Sequence, residues 1–468
     1  MLGACGGGGP SGGAPGGGPP TSGAPTPAPS PAPPSTGCSL REQQTAVNQL
    51  FDEWYLFPGL LAAVNPENFS DLNSMIDARV APARARGRDR FFSSATSIAE
   101  ETALIQSGAS AGFGVRLAFD PAARRVFVVE AYEGASGLAA GIDRGTELLA
   151  IGTSSANLQS VSSLIAGGGT QAVVQALGPS DPGVTRVLQF RPRGGALIEA
   201  SITKTSFSLD PVSDRYGALI LDDGGRRVGY LNLRTFIVAD AQRQMREAFG
   251  EFRAEGISEI IIDLRYNGGG LVSGGDVLGD LLSAGRSGQV WSEVVWRAEK
   301  SAENRTRLIG NEANAINPAR IAFITTGATA SASESVINSL LPYIGSNLAL
   351  VGANTFGKPV GQAAFDLARC DLRVRPVTFQ TVNANRQGDY FDGLASLVPN
   401  TCRANDDIFT PLGDPAEASI SAALDFLGGR VCTPIISSTG AVWQMRSDRE
   451  MLMPRDPNAA QAEMPGLF

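Results

Sequence analysis

The sequence predicts an α/β protein of several domains, and three observations carry that prediction. Beyond Ser206, short apolar runs (Ile260 to Ile262, Ile321 to Ile324, Leu348 to Val351) alternate with amphipathic stretches, the pattern of a mostly parallel sheet with helices packed on it. The 468 residues exceed one ordinary core. Composition also changes along the chain, from a Gly/Pro tract through a helical stretch and β-rich runs to the alternating region.

Apolar residues make up 43% of the chain and charged residues 18%, enough to bury real cores, and the 56 glycines and 29 prolines crowd toward the front. A net charge of −8 repels a phosphate backbone, which argues against nucleic acid as a partner. No run reaches the roughly 18 apolar residues of a membrane-spanning helix. The chain contains no histidine, which excludes every Ser-His-Asp and Cys-His arrangement and most catalytic zinc sites. A catalytic base has to be Lys, Asp, Glu or Tyr. The cysteines at 5, 38, 370, 402 and 432 include no C-x-x-C pair, so neither a metal centre nor a cofactor is expected. Cys38, Cys370, Cys402 and Cys432 can form two disulfides in an oxidising compartment, with three connectivities open, or remain as buried thiols.

Taken in order, residues 1–37 hold a disordered Gly/Pro linker, since residues 6 to 36 are Gly, Pro, Ser, Ala and Thr alone and cannot repay the entropy of ordering. Leu2-Gly3-Ala4-Cys5 ahead of it resembles the lipobox of bacterial lipoproteins, without the preceding hydrophobic region. That resemblance implies lipidation at Cys5, a membrane association only through this anchor, and a periplasmic or cell-envelope location. Residues 38–102 form a helical N-terminal region, with Val47, Leu50, Phe51 and Trp54 on one face. Trp54, Tyr55 and Phe57 read as core rather than as a ligand cradle, and Arg84, Arg86, Arg88 and Arg90 as a solvated surface.

Residues 103–205 are β-rich, with strands at Val126 to Val129 and Val187 to Phe190. Gly112-Phe113-Gly114-Val115 resembles the carboxylate-binding loop of a PDZ domain, and Ser136 to Ile151 resembles the stretch that follows it there, with Ser136 in place of the usual Pro and Thr146 in place of Asp. Such a Gly-rich turn holds a peptide's end while the peptide adds a strand to the sheet edge.

Residues 206–468 carry three motifs, each just after an apolar strand, where α/β domains place active groups. Asn267-Gly268-Gly269-Gly270 brings backbone N–H donors close to a bound group. Ser331-Ala332-Ser333-Glu334 enters a helix whose positive end favours an alkoxide-like oxygen, although local sequence alone reads as a helix cap. Thr355-Phe-Gly357-Lys358-Pro359-Val-Gly361-Gln362 sets a lysine in apolar surroundings that favour its neutral form.

Together the three resemble the S41 serine peptidases, the carboxyl-terminal processing or tail-specific proteases, whose pattern is N-G-G-G, S-A-S-E and T-F-G-K-G-x-x-Q behind a PDZ domain. The resemblance implies a crotonase-like α/β catalytic domain and a Ser/Lys dyad that hydrolyses peptide bonds of proteins recognised through their C-termini. Ser331 is then the nucleophile, with Ser333 its rival, Lys358 the base and Gln362 the residue that orients the lysine. Ala332 with Gly268 or Gly269 forms the oxyanion hole, and Gly112, Phe113, Gly114 and Val115 bind the peptide. Pro359 departs from the family's glycine, and the interval from Ser331 to Lys358 is slightly long, with Leu341 to Gly345 the site of the extra length. The alternative is a catalytically idle PDZ-type scaffold that binds peptides. Gly352 to Lys358 also fits the nucleotide-binding G-x-x-x-x-G-K, but Pro359 replaces the hydroxyl residue that holds magnesium there.

Overall fold

The computed structural model describes residues 38–436 and 449–468. Cys5 and the Gly/Pro tract lie outside the described residues. Helix α1 (Leu40–Trp54) starts at a capping box in which Ser39 and Glu42 satisfy each other's backbone N–H groups, and it buries Val47 and Phe51. Its core is shared, because Val47, Phe51, Tyr55 and Met75 pack with Val360, Val374 and Val377 from far along the chain. Trp54 stacks edge-on against Trp296, with the Lys300 ammonium 3.7 Å from its ring, so the aromatic face docks the region onto its neighbour. A disulfide between Cys38 and Cys370 clips the same contact.

The β-rich unit is an antiparallel sheet that begins with β1 (Val115–Asp120) and continues through 125–131, 147–152, 185–191 and 198–203. Helix α2 (Val161–Leu177), kinked at Gly168 and Gly169, closes over a core of Phe113, Val128, Ile151, Leu188 and Phe190. The far edge of β1 is covered by residues from the last stretch of the sequence: Glu450–Met451 pairs with Phe119 and Ala118, and the backbone of Gly466 and Phe468 bonds to Leu117 and Val115.

In the third region a hairpin joins Ala218–Asp223 to β2 (Arg226–Asn232). From there β2, β3 (Glu259–Asp263), β4 (Arg320–Thr325), β5 (Leu348–Gly352) and the strand 400–403 run parallel. Their apolar runs are buried on both faces: Ile260 and Ile262 join one core with Phe249, Leu278 and Ile337, while Ile261 joins a second with Ala423 and Leu427. Helix 241–254 buries Met245, Ala248, Phe249 and Phe252 at the three- and four-residue spacing of one helix face. Helix α3 (Ala332–Ile344) follows β4, runs through Pro342 and ends at Gly345. The short helix α4 (Ala459–Glu463) lies near the β-rich unit, against 98–107. A second disulfide joins Cys402 and Cys432, so one of the three open connectivities is realised.

Buried ion pairs lock the β-rich unit to the parallel sheet. Arg144 binds Asp406 and the Tyr266 hydroxyl, while Arg234 binds Glu130 and Glu133. Removing one partner of such a pair leaves an uncompensated buried charge, so these contacts hold the two units in one arrangement.

Candidate active site

Three loops leave the ends of β3, β4 and β5 side by side and meet around Asn267. Its carbonyl accepts the Ala330 N–H at 3.2 Å and the Ser333 hydroxyl at 3.1 Å, and its side chain donates to the Leu233 carbonyl. The Phe356 N–H donates to the Thr329 carbonyl, tying the lysine loop to the serine loop. Gly269 has φ +112°, and a Cβ there would stand 2.8 Å from the Ser331 Cβ and 3.0 Å from the Ala332 nitrogen, so only glycine permits this approach.

Ser331 sits at the mouth of α3 with φ +55°, a left-handed conformation costing on the order of 1–3 kcal/mol that surrounding structure has to enforce. Glu334 supplies part of that enforcement. Its buried carboxylate accepts N–H bonds from Ser331 at 3.0 Å, from Gly357 at 2.7 Å and from Lys358 at 2.7 Å. Burial pushes its pKa up to about 6, against the pull of those donors.

Ser331, Ala332, Lys358, Trp291, Phe379 and Tyr390 line one narrow cleft. Lys358 is half-buried with its ammonium 5.1 Å from the Phe92 ring, and burial lowers its pKa. Glu463, Asp89 and Glu334 pull it back up by their charge, and Arg375 pushes it further down. Ser333, by contrast, is wholly buried.

Among the oxyanion candidates, the Gly269 N–H is committed to the Asn267 side-chain oxygen at 2.9 Å. Ala332 is the first residue of α3, where N–H groups have no partner within the helix. The Gln362 side chain donates to the Phe92 carbonyl at 2.6 Å, so it braces the aromatic wall beside Lys358. Gly112, Phe113, Gly114 and Val115 lie at the start of β1 against Phe468, away from the cleft.

The structure also corrects the reading of the basic run. Arg90 is no solvated surface residue; its guanidinium donates to the carbonyls of Phe356 and Gly357 and clamps the lysine loop. Glu334 reads from sequence as a helix cap, and the fact that it also receives two N–H groups from the lysine loop is not visible there. Its position inside a motif shared with the nucleophile candidate is the one signal that could have marked it.

Comparison with known proteins points to one peptidase family. Residues 227–391 match the family described as Peptidase family S41. The chain is 26% identical over 340 residues to a carboxyl-terminal-processing protease of Synechocystis, covering 72% of this chain and 73% of that protein. It is 28% identical over 232 residues to the chloroplastic carboxyl-terminal-processing peptidase 1 of Arabidopsis thaliana, covering 49% and 42%. A crystal structure described as an S41 protease from Bacteroides fragilis superposes with a TM-score of 0.63 at 23% identity, over 82% of this chain and 97% of that one, a likeness of fold.

Proposed function

Through residues 227–391 the chain is a member of peptidase family S41, and from that premise we propose a serine endopeptidase in which Ser331 is the nucleophile and Lys358 its general base. The observation that carries the assignment is that Ser331 and Lys358 line one cleft at the ends of adjacent parallel strands while Ser333 is buried and bonded away from it. Neutral Lys358 takes the Ser331 hydroxyl proton as the oxygen attacks the peptide carbonyl. The oxyanion is received by the Ala332 N–H and the Gly268 N–H, Gly269 being occupied by Asn267. The lysine ammonium then protonates the departing amine. Water, deprotonated by the same lysine, hydrolyses the acyl-enzyme and restores the serine. Gln362 positions the lysine through Phe92.

The β-rich unit fits a PDZ-like role, with the Gly112 to Val115 turn and the outer edge of β1, which this chain's own residues 450–451 and 466–468 occupy here, as the place where an extended substrate end adds as a strand. Lipidation at Cys5 would hold the enzyme at a membrane surface, and the two disulfides support an oxidising compartment such as the cell envelope. Among the described residues no helix is long and apolar enough to cross a membrane.

Ser331→Ala and Lys358→Ala should each lower kcat/KM on a dye-labelled unfolded protein by about 10³-fold or more with the thermal midpoint retained. Undiminished cleavage by Ser331→Ala would move the nucleophile elsewhere, and inert wild-type protein would favour a peptide-binding scaffold.

A further inference from the structure

The groove that would receive a substrate end is filled by this chain's own residues. The Leu117 N–H donates to the Gly466 carbonyl at 2.7 Å, the Phe468 N–H to the Val115 carbonyl at 2.9 Å, and the Val115 N–H to the Phe468 carbonyl at 3.1 Å. This is antiparallel strand addition to the edge of β1. The Phe468 side chain is buried among Phe113, Val115 and Ile142, and Leu467 and Met464 are buried with Ile237 and Tyr132. The two sides are shaped for each other. A Cβ at Gly112 would lie 2.5 Å from the Phe468 carbonyl carbon, and one at Gly466, held at φ +89°, would lie 2.7 Å from the Leu117 oxygen.

The same segment reaches the glycine turn and the surroundings of Lys358. The Glu463 carbonyl oxygen stands 3.0 Å from where a Gly268 Cβ would be, so its backbone lies over the glycine turn. The Glu463 carboxylate is also the foremost negative charge acting on Lys358. Arg116 joins the two places: wholly buried, it bridges to Leu467 on one side and donates to the Tyr266 carbonyl at 3.2 Å, next to Asn267, on the other.

We propose that residues 459–468 are an autoinhibitory segment that occupies the peptide-binding edge of β1 and covers the oxyanion turn, so that a substrate peptide of the same chemistry, a small residue followed by two large apolar ones, must displace it. The proposal rests on the peptidase assignment above. A tethered ligand competes at an effective concentration on the order of millimolar, so release of the segment raises kcat/KM by about tenfold, chiefly through KM.

The test compares the wild-type chain with Gly466→Val, whose side chain would collide with β1, and with a variant lacking residues 464–468. All three are assayed on dye-labelled unfolded casein, with fluorophosphonate labelling of Ser331 as the control. Both variants are expected to gain about tenfold, to bind a labelled hexapeptide Glu-Met-Pro-Gly-Leu-Phe that wild type excludes, and to lose the gain when that peptide is added. Equal kcat/KM in all three, with Ser331 labelled in each, overturns the proposal alone, whereas absence of labelling in all three sinks the peptidase assignment. Folded variants that lose activity would make the segment a structural part, and relief of wild-type inhibition on dilution would assign it to a second copy; either result overturns the proposal. Should both variants fail to fold, hydrogen exchange on wild type decides: excess hexapeptide accelerates exchange at 464–468 if the segment is displaceable, and unchanged protection overturns the proposal.

Discussion

Glu334 shows how one buried side chain can tie two loops of the candidate site together. It gathers the N–H groups of Ser331, Gly357 and Lys358, so both dyad candidates depend on one carboxylate. A glutamine offers a single acceptor oxygen and leaves at least one buried N–H facing an amide donor. Glu334→Gln should therefore cost about 1–3 kcal/mol of stability and lower kcat/KM by about 10²-fold, read from a urea midpoint and an initial rate. The pH dependence follows from its raised pKa. A carboxyl held up to about 6, against an ordinary 4.5, binds its proton more tightly folded than unfolded. Its contribution to stability is complete below about pH 4.5 and is lost as pH rises through about 6, and the Gln variant should lack that component. Chemical identity at this scale was legible in the sequence: Ser331, Lys358 and the glycine turn stand in recognisable motifs. Glu334's contacts with the lysine loop span 23 and 24 residues, and no local pattern reports a hydrogen bond at that separation.

At the scale of elements, the ends of β3, β4 and β5 bring the motifs together, and the strands were visible as apolar runs because a parallel sheet covered on both faces needs them. The wall around Lys358 was less visible. Phe92, Asp89 and Arg90 come from the N-terminal region and Glu463 from α4, far from the lysine in sequence, so the partial burial of Lys358 depends on tertiary packing. Burial lowers the Lys358 pKa, so kcat/KM should rise with pH along a limb whose midpoint lies below that of a free lysine, the neutral amine being the active form. Glu463, Asp89 and Glu334 stabilise the ammonium and Arg375 destabilises it, so Glu463→Gln should move that limb to lower pH. A limb unmoved in Glu463→Gln would mean that the α4 carboxylate does not act on the base.

Across the whole molecule, the three regions share cores and ion pairs. The Cys38–Cys370 disulfide spans 332 residues and clips the N-terminal helix to the segment that follows the lysine loop. Loop-closure entropy makes such a link worth up to about 5 kcal/mol. Replacing both cysteines by alanine should lower the thermal midpoint and also the rate, because the helical region walls Lys358; an unchanged midpoint would show that packing alone holds it. Composition and spacing indicated which cysteines could pair but left the connectivity open, since pairing follows from the packed arrangement. The return of residues 450–468 to the edge of β1 was equally silent in sequence, because Pro465-Gly466-Leu467-Phe468 carries no periodicity that names its partner.

The central claim is that Lys358, whose charged form burial disfavours, activates Ser331. Its most direct test is mass-spectrometric mapping of the fluorophosphonate adduct in wild type and in Lys358→Ala at the same pH. A single adduct on Ser331 that forms at least about 10²-fold more slowly without the lysine is the predicted result. An adduct on another residue, or equal labelling rates in the two proteins, would contradict it.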